Sequence, residues 1–270
     1  MIDAPLQLCR ADRPRAIRTL LLHGLAGSAR NWADFAALAG QDLELHAAEL
    51  PWSNDGNQAW AEHADPAHWV ELAMLGSQPP GTVPDVVIAH SFAATLLLCW
   101  LDDPARLRPR AVVLVAPFYR AHPDDFDWPT ISYYLNDFHR ILEYGVAVRG
   151  GGRLGQDRCA EIARLVRLRI GPHGWMRFFE SYLRTTRLNP GQLRMPMLIV
   201  SGADDIAAPV SDARALARAV PGAQLAIMPG CGHFPMNERP GEFAALVETF
   251  LAGLDPSPGT PAAATTALHS

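Results

Sequence analysis

The chain of 270 residues is predicted to adopt an α/β fold, a mostly parallel β-sheet with helices on both faces and one inserted helical segment. Short apolar runs of buried-strand length recur along the sequence, and helical patterns lie between them. The alternation is interrupted once, by a long stretch with helical patterns and no strand run. The predicted strands are 17–22, 43–48, 86–89, 111–116, 197–201 and 224–228.

The predicted helices of the sheet domain lie between these strands, at 28–39, 92–101, 210–220 and 240–252. The stretch 92–101 is apolar nearly all round, which predicts a central helix buried against the sheet. The tail 254–270 is rich in Pro, Ala and Thr and has too little apolar surface to form a core, so it is expected to be disordered.

The segment 118–194 separates two predicted strands. It contains all five tyrosines and more than half of the aromatic residues, with helical periodicity at 132–144 and 157–169. We interpret it as a helical lid over the strand ends, inserted into a core domain made of 1–117 and 195–253. Aromatic side chains supply large apolar contact area to a ligand. The candidate substrate-pocket residues are therefore Trp128, Tyr133, Tyr134, Trp175 and Phe178.

The composition argues against several partners and chemistries. The net charge of −5 disfavours nucleic acid, which is bound through clustered cations. All 23 basic residues are arginines, so a Schiff-base lysine, a P-loop lysine and a lysine general base are absent. The four scattered cysteines argue against a disulfide framework or a zinc site. No secretory signal or membrane-spanning apolar run is visible, so we expect a cytoplasmic protein without membrane insertion.

A serine between a strand and a helix is the central signal. In VVIAHSFAA an apolar strand runs into Ser91, and a helix begins directly after it. This is the arrangement of a nucleophile elbow, in which a tight turn exposes the serine Oγ above the sheet. Strand and helix approach closely at such a turn, so the residues two before and two after the serine must be small. Ala89 and Ala93 meet this requirement.

A glycine-rich loop follows the first predicted strand, in LLLHGLAGS. In acyl transfer, fixed backbone N–H groups must point at the oxygen on which negative charge develops. The N–H of Leu25 is a candidate for one such oxyanion donor, and the N–H of Phe92, the residue after the serine, for the other. We interpret the side chain of His23 as a satisfied histidine in a tight turn.

An acid and a histidine follow two later strands. In MLIVSGADDIAAP a strand ends in glycine and two aspartates, and in GCGHFPMNERP a glycine-rich loop contains His233. A carboxylate there can accept the histidine Nδ1–H, and the histidine can take and return the serine proton. Neighbouring side chains point in different directions, so only one of Asp204 and Asp205 can face His233.

The order nucleophile, acid, base, with the glycine-rich loop upstream, resembles that of the α/β-hydrolase superfamily, particularly its lidded serine esterases, cofactor-free haloperoxidase-like enzymes and C–C bond hydrolases. The matching stretches are LLHGLAGSARNW, VVIAHSFAA, MPMLIVSGADDIAAP and MPGCGHFPMNERPGEF, and the resemblance covers roughly 15–253. It implies a mainly parallel eight-stranded sheet with a helical cap, and the family pattern Gly-x-x-Asp implies that Asp205 is the acid. One departure follows the second strand, where the common Asp-x-Pro-Gly-x-Gly is replaced by Glu49-Leu50-Pro51-Trp52-Ser53-Asn54.

The resemblance implies cleavage of a carboxylic ester or thioester, a small molecule, through an acyl-enzyme on Ser91. His233 would be the base and Asp205 its orienting acid, without a metal or cofactor. The same residues would also serve an acyltransferase, or a lyase or C–C hydrolase acting on a natural-product intermediate. A non-catalytic small-molecule-binding protein is the alternative from another class. The natural substrate and the oligomeric state stay open.

Overall fold

The computed structural model describes residues 6–8, 16–53, 58–76 and 81–254 of the chain. Within these residues, seven strands form one β-sheet. The strands are β1 (Leu6–Leu8), β2 (Ile17–Leu22), β3 (Leu43–Ala48), β4 (Val86–His90), β5 (Ala111–Val115), β6 (Met197–Gly202) and β7 (Gln224–Met228).

The strands lie across the sheet in the order β1-β3-β2-β4-β5-β6-β7, and β2 to β7 all run parallel. The six apolar runs of the sequence are these six parallel strands. The described residues form seven strands and not the expected eight. The seventh, β1, pairs antiparallel with β3 at the edge and is only three residues long, too short to show as an apolar run. The tail that we expected to be disordered lies outside the described residues from 255 onward.

Helices connect most of the strands. The central helix is α3, and every one of its residues is buried, as its uniformly apolar sequence predicts. The helices are α1 (Ala33–Leu38), α2 (Ala67–Gly76), α3 (Phe92–Leu101), α4 (Trp128–Asn136), α5 (Phe138–Arg149), α6 (Gln156–Arg184), α7 (Val210–Ala219), α8 (Pro235–Glu238) and α9 (Pro240–Ala252).

Apolar side chains pack on both faces of the sheet, because successive residues of a strand point to opposite sides. In β4, Val87 and Ala89 belong to the core under α2, α3 and α7. Val86 and Ile88 belong to the core under α1 and α9. With both faces covered, the carboxyl ends of the parallel strands are the edge at which the loops after β2, β4, β6 and β7 meet.

Three helices, α4 to α6, lie between β5 and β6, and we refer to 118–194 as the insertion. The helical pattern predicted at 132–144 is divided in the structure, because α4 ends at Asn136 and α5 begins at Phe138. The pattern at 157–169 is the first half of a much longer helix, α6, which extends to Arg184.

Helix α6 is broken at Gly171, whose φ of 67° lies in the left-handed region that favours glycine. Pro172 has no N–H and leaves the carbonyl of Leu168 without its helical partner. The side chain of Gln58, from the short 3-10 helix before α2, donates from Nε2 to that carbonyl at 3.0 Å. A Cβ at Gly171 would lie 2.3 Å from Gln58 Oε1, so glycine is required for this contact.

Candidate active site

Ser91 lies at the turn where β4 ends and α3 begins. Its φ of 55° and ψ of −121° are a left-handed conformation that costs a non-glycine residue about 1–3 kcal/mol. The Ser91 N–H donates to the carbonyl of Val115 at 2.8 Å, which fixes the turn to the neighbouring strand β5. Ala89 and Ala93 are fully buried on either side. The backbone therefore has the geometry of the elbow that the sequence predicts.

Ser91, His233 and Asp205 are joined in one line of hydrogen bonds. His233 Nδ1–H donates to Asp205 Oδ2 at 2.8 Å, and Ser91 Oγ–H donates to His233 Nε2 at 2.9 Å. A carboxylate only accepts, so it fixes the neutral ring in the tautomer with the proton on Nδ1 and leaves Nε2 as the acceptor. Ser91 is 7% exposed and His233 is 3% exposed. This arrangement can transfer the serine proton to the imidazole.

Backbone groups fix the carboxylate of Asp205 from its other side. Asp205 Oδ1 accepts the N–H of Ala207 at 2.7 Å and the N–H of Ala208 at 2.9 Å. The neighbouring Asp204 is exposed, and its own backbone N–H donates to the carbonyl of Cys231 at 2.9 Å. Asp205, and not Asp204, is therefore the aspartate in contact with His233.

A carboxylate that the sequence analysis did not single out, Glu238, holds the loop of His233. Glu238 Oε2 accepts the N–H of Gly232 at 2.8 Å, and Oε1 accepts the N–H of Phe234 at 2.8 Å. Both neighbours of His233 are thus bound to one side chain. The hydroxyl of Tyr144, on α5, donates to Glu238 Oε2 at 2.7 Å. The available signal was the acid in the short helix α8, directly after the histidine loop.

His90, the residue before the serine, also supports the loop of His233. It is buried, and its Nε2–H donates to the carbonyl of His233 at 2.8 Å. Burial lowers the pKa of His90 well below its ordinary value, and the nearby His233 lowers it further, so the ring is neutral. A Cβ at Gly24 would lie 2.9 Å from both His90 Nδ1 and Ser91 Cβ. Only glycine therefore lets the loop after β2 lie this close to the elbow.

The two predicted oxyanion donors lie in the loop after β2 and at the start of α3. Phe92 is the first residue of α3, so its N–H has no acceptor within the helix. Among the backbone hydrogen bonds made by the described loops, turns and helix ends, none has the N–H of Phe92 or the N–H of Leu25 as its donor. The next residue, Ala26, has a φ of 56°, and its N–H donates to the carbonyl of Trp52 at 3.0 Å.

The segment that departs from the family pattern supports this loop. The indole N–H of Trp52 donates to the carbonyl of His23 at 3.2 Å. His23 is buried, with Nδ1–H donating to the carbonyl of Gly24 and Nε2 accepting the N–H of Leu50, both at 2.9 Å. The imidazole is therefore satisfied within the turn, as we interpreted it from the sequence.

Of the five predicted pocket aromatics, Phe178 lies beside the elbow and Trp175 lies in the wall of a cleft of the insertion. The ring of Phe178 is buried, 5.9 Å from the ring of Phe92. Trp175 is partly buried and stacks on Phe179 at 5.2 Å. Trp128 is 80% exposed and has no ring contact among the described residues. It is absent from the cleft lined by its neighbours in the insertion, so the structure does not place it in a pocket.

The hydroxyls of Tyr133 and Tyr134 are bound to the protein and are not free for a ligand. Tyr133 OH donates to the carbonyl of Ile206 at 2.5 Å, and Tyr134 OH donates to the carbonyl of Ala207 at 2.7 Å. Tyr134 is also only 2% exposed. These two residues therefore contact the loop of Asp205, which the sequence analysis did not anticipate.

Two aromatic residues that the sequence analysis missed pack against Phe178, and one of them, Phe118, also lies beside His233. The ring of Phe118 is 5.9 Å from the ring of His233 and 4.9 Å from that of Phe178. The ring of Phe138 is 5.4 Å from that of Phe178. The signal for Phe118 was its position just after β5, the strand beside β4.

A cleft of about 580 Å³, which we call the insertion cleft, opens between α4, α5 and α6. Its wall is mostly apolar, and Phe138 belongs both to this wall and to the layer of rings around Phe178. One aromatic layer thus separates the cleft from Phe92, the neighbour of Ser91. The lining includes Leu135, Phe138, Leu168, Ile170, Trp175 and Met176, with Arg164 and Arg167 among the polar residues.

Among the described residues, no group of three or more His, Cys, Asp or Glu side chains is placed to hold a metal ion. In the same ranges, every helix is too short or too polar to cross a membrane.

The family model described as Alpha/beta hydrolase family matches residues 19–246, which include Ser91, Asp205 and His233. The match extends over most of the chain and agrees with the sheet order and the elbow described above. This protein therefore belongs to the alpha/beta hydrolase family.

Relatives and solved structures agree with this membership. The chain is 25% identical over 248 residues to the pimeloyl-[acyl-carrier protein] methyl ester esterase of Nitrosospira multiformis, covering 86% of this chain and 93% of that protein. It is 27% identical over 273 residues to the 2-hydroxymuconate semialdehyde hydrolase of Pseudomonas putida, covering 90% of each. A match to an uncharacterized protein of Mycobacterium tuberculosis is 38% identical but spans 63 residues, 23% of this chain and 18% of that protein. The bromoperoxidase from Bacillus anthracis has the same fold, with a TM-score of 0.64 at 15% identity over 88% of this chain and 92% of that one.

Proposed function

We propose that this protein is a serine hydrolase that cleaves a carboxylic ester or thioester through an acyl-enzyme on Ser91. The observation that carries the proposal is the unbroken line of hydrogen bonds from Ser91 through His233 to Asp205. Membership of the family supports it, as do the names of the two relatives that align over most of their length, an esterase and a hydrolase.

In the proposed reaction, His233 Nε2 takes the proton of Ser91 Oγ while Oγ forms a bond to the substrate carbonyl carbon. The carbonyl π electrons move to oxygen, where the N–H groups of Leu25 and Phe92 stabilise the negative charge. Collapse of this intermediate expels the alcohol or thiol, which leaves with the proton from His233. Water then attacks the acyl-enzyme by the same steps and releases the acid. Asp205 orients the imidazole and stabilises the imidazolium without becoming protonated itself.

We infer that the insertion 118–194 is a lid on the core domain 1–117 and 195–253. We also infer that the insertion cleft receives the apolar part of the substrate when the rings of Phe138 and Phe178, which separate it from the elbow, move aside. Its volume of about 580 Å³ lies in the range of small-molecule sites, and its wall is mainly apolar. Trp175 lines the cleft, and Phe178 lies between the cleft and the elbow. We leave Trp128 out of this pocket because of its exposure.

We also propose that the protein is cytoplasmic. Cys99, Cys159 and Cys231 are free thiols, and free thiols persist in reducing compartments.

Labelling with a fluorophosphonate, followed by a panel of p-nitrophenyl esters of increasing acyl length and a matching thioester, tests the proposal. We expect covalent label on the peptide that contains Ser91, none in the Ser91→Ala variant, and turnover of at least part of the panel. Absence of both label and turnover would favour a binding protein. Label on Ser91 with acyl transfer only to an added alcohol or amine would favour an acyltransferase.

A further inference from the structure

We propose that helices α4 and α5 of the insertion act as positioning elements for the triad, through three tyrosines whose hydroxyls bond to the loops that carry Asp205 and His233. The tyrosines are Tyr133, Tyr134 and Tyr144. The inference rests on the proposed function, since positioning matters only if Ser91 reacts. In this arrangement the insertion covers the active site and also fixes the positions of the loops that carry Asp205 and His233.

On the acid side, each tyrosine binds one end of a peptide unit whose other end binds Asp205. The peptide that joins Ile206 to Ala207 accepts Tyr133 OH at its carbonyl and donates its N–H to Asp205 Oδ1. The peptide that joins Ala207 to Ala208 accepts Tyr134 OH at its carbonyl and donates its N–H to the same Oδ1. The two hydroxyls therefore determine where the two N–H groups point.

This arrangement acts on the triad in two ways. A carbonyl that accepts a hydrogen bond polarises its peptide unit, so the N–H at the other end becomes a better donor. The two N–H groups also fix the rotation of the Asp205 carboxylate, whose second oxygen, Oδ2, accepts His233 Nδ1–H at 2.8 Å. Small errors in such a geometry are costly, because catalysis depends on groups that are oriented before the reaction.

On the base side, the contact passes through Glu238. Tyr144 OH donates to Glu238 Oε2, and this carboxylate accepts the N–H groups of Gly232 and Phe234 on either side of His233. The carboxylate is thus held between α5 and the histidine loop. Tyr144 fixes its position as Tyr133 and Tyr134 fix the two peptides of the acid loop.

The three hydroxyls are permanent donors. Burial raises the pKa of Tyr133, Tyr134 and Tyr144, and for Tyr144 the neighbouring Glu238 raises it further. They therefore stay protonated across the range of an activity assay and can fill a positioning role at every pH used.

A fourth tyrosine of the insertion provides a matched control. Tyr182 is buried in α6, and its hydroxyl donates to Asp212 Oδ2 at 2.6 Å. Asp212 is on α7, and among the described residues its side chain has no hydrogen bond to the loops of Asp205 or His233. The ring of Tyr182 packs 5.4 Å from that of Tyr134, but among the described residues its hydroxyl binds neither the loop of Asp205 nor that of His233. Tyr182 therefore controls for the loss of a buried hydroxyl that joins the insertion to the rest of the protein.

The experiment compares the variants Tyr133→Phe, Tyr134→Phe and Tyr144→Phe with Tyr182→Phe. Each variant removes one hydroxyl and keeps the ring. For each, kcat and KM are measured with p-nitrophenyl butyrate, the rate of fluorophosphonate labelling is followed, and the melting temperature is recorded. We expect the first three to lower kcat and the labelling rate by about 3- to 10-fold, the effect of one net hydrogen bond, with KM changed by less than about twofold. Tyr182→Phe should lower the melting temperature and leave kcat within about twofold.

Three results would overturn the inference. A raised KM with unchanged kcat would make the tyrosines substrate contacts. Unchanged labelling and kcat in the first three variants would show that these tyrosines only attach the insertion to the sheet domain and do not position the triad. An equal loss of kcat in Tyr182→Phe would show general destabilisation. A wild-type protein that is neither labelled nor active would refute the proposed function itself, so the two failures are distinguishable.

Discussion

Replacement of Asp205 with Asn should lower kcat by about four orders of magnitude, and the contacts of the carboxylate explain why. Oδ1 faces two N–H donors, from Ala207 and Ala208. The amide oxygen must take that place, because an NH2 group there would leave both donors unsatisfied at about 1–3 kcal/mol each. The amide NH2 then faces His233 Nδ1, which must become the acceptor. The ring proton moves to Nε2, where it faces Ser91 Oγ, and the base is lost.

The expected loss, on the order of 10⁴ in kcat, corresponds to about 5.4 kcal/mol of transition-state stabilisation. The assay is kcat with a saturating activated ester, in parallel with the fluorophosphonate labelling rate. Asp204→Asn is the matched control, because Asp204 is exposed and should change stability by no more than about 0.5 kcal/mol. A severe loss in Asp204→Asn with a mild one in Asp205→Asn would reverse the assignment. Mild losses in both would place the acid elsewhere, with the loop after Ala116 as the next candidate.

Three further results are expected. Ser91→Ala should keep the fold, judged by circular dichroism, and lose at least ~10³-fold in kcat, because the covalent route disappears; near-normal turnover would exclude Ser91 as the nucleophile. Trp175→Ala should change the relative kcat/KM values for esters of different acyl length, while fluorophosphonate labelling persists. Trp128→Ala should leave these relative values unchanged, because Trp128 is exposed. If the two variants have the same acyl preference, the cleft does not determine which acyl chain is accepted. Burial raises the pKa of Asp212 from 3.8 to about 6, so the folded state binds a proton that the unfolded state releases. The stabilisation from this bound proton should be complete below about pH 4 and should be lost as the pH rises through about 6. The free energy of unfolding should fall by about 3 kcal/mol over this range. Urea unfolding of wild type and Asp212→Asn across this range measures it, and parallel curves would contradict the shift.

The three residues of the proposed triad could be picked out together because each leaves a local signature in the sequence. Ser91 lies between an apolar strand and an apolar helix, and Asp205 and His233 each follow a strand in a glycine-containing loop. Parallel strands bring their carboxyl ends to one edge, so three separate signals become one site. The central strands β4, β5 and β6 were predictable because fully buried strands are largely continuous apolar runs.

The side chains that we propose to support the triad were not predictable in the same way. Tyr133 and Tyr134 donate to backbone carbonyls, and every residue has a carbonyl, so their acceptors carry no sequence signal. The enrichment of aromatic residues was correctly noticed, but it does not distinguish a hydroxyl that binds the protein from a ring that faces a ligand. Trp128 is a second example, because the aromatic enrichment does not tell an exposed ring from one in a pocket. Its exposure depends on its place at the start of α4. The edge strand β1 was missed because of its length.

The break in α6 at Gly171 has a consequence for how this protein can diversify. In a continuous helix, one inserted residue rotates every later side chain by about 100°, so a change near one end disturbs contacts at the other. In α6 the half before Gly171 contributes residues such as Leu168 and Ile170 to the insertion cleft. The half after it adds Trp175 and Met176 to the same cleft, and it also carries Tyr182 and the contact of Arg177 with the carbonyl of Ala61. The left-handed residue and Pro172 reset the helical register between the two halves. Lengthening or reshaping the first half, by evolution or by design, can therefore alter what the cleft accepts while the anchored half keeps its place.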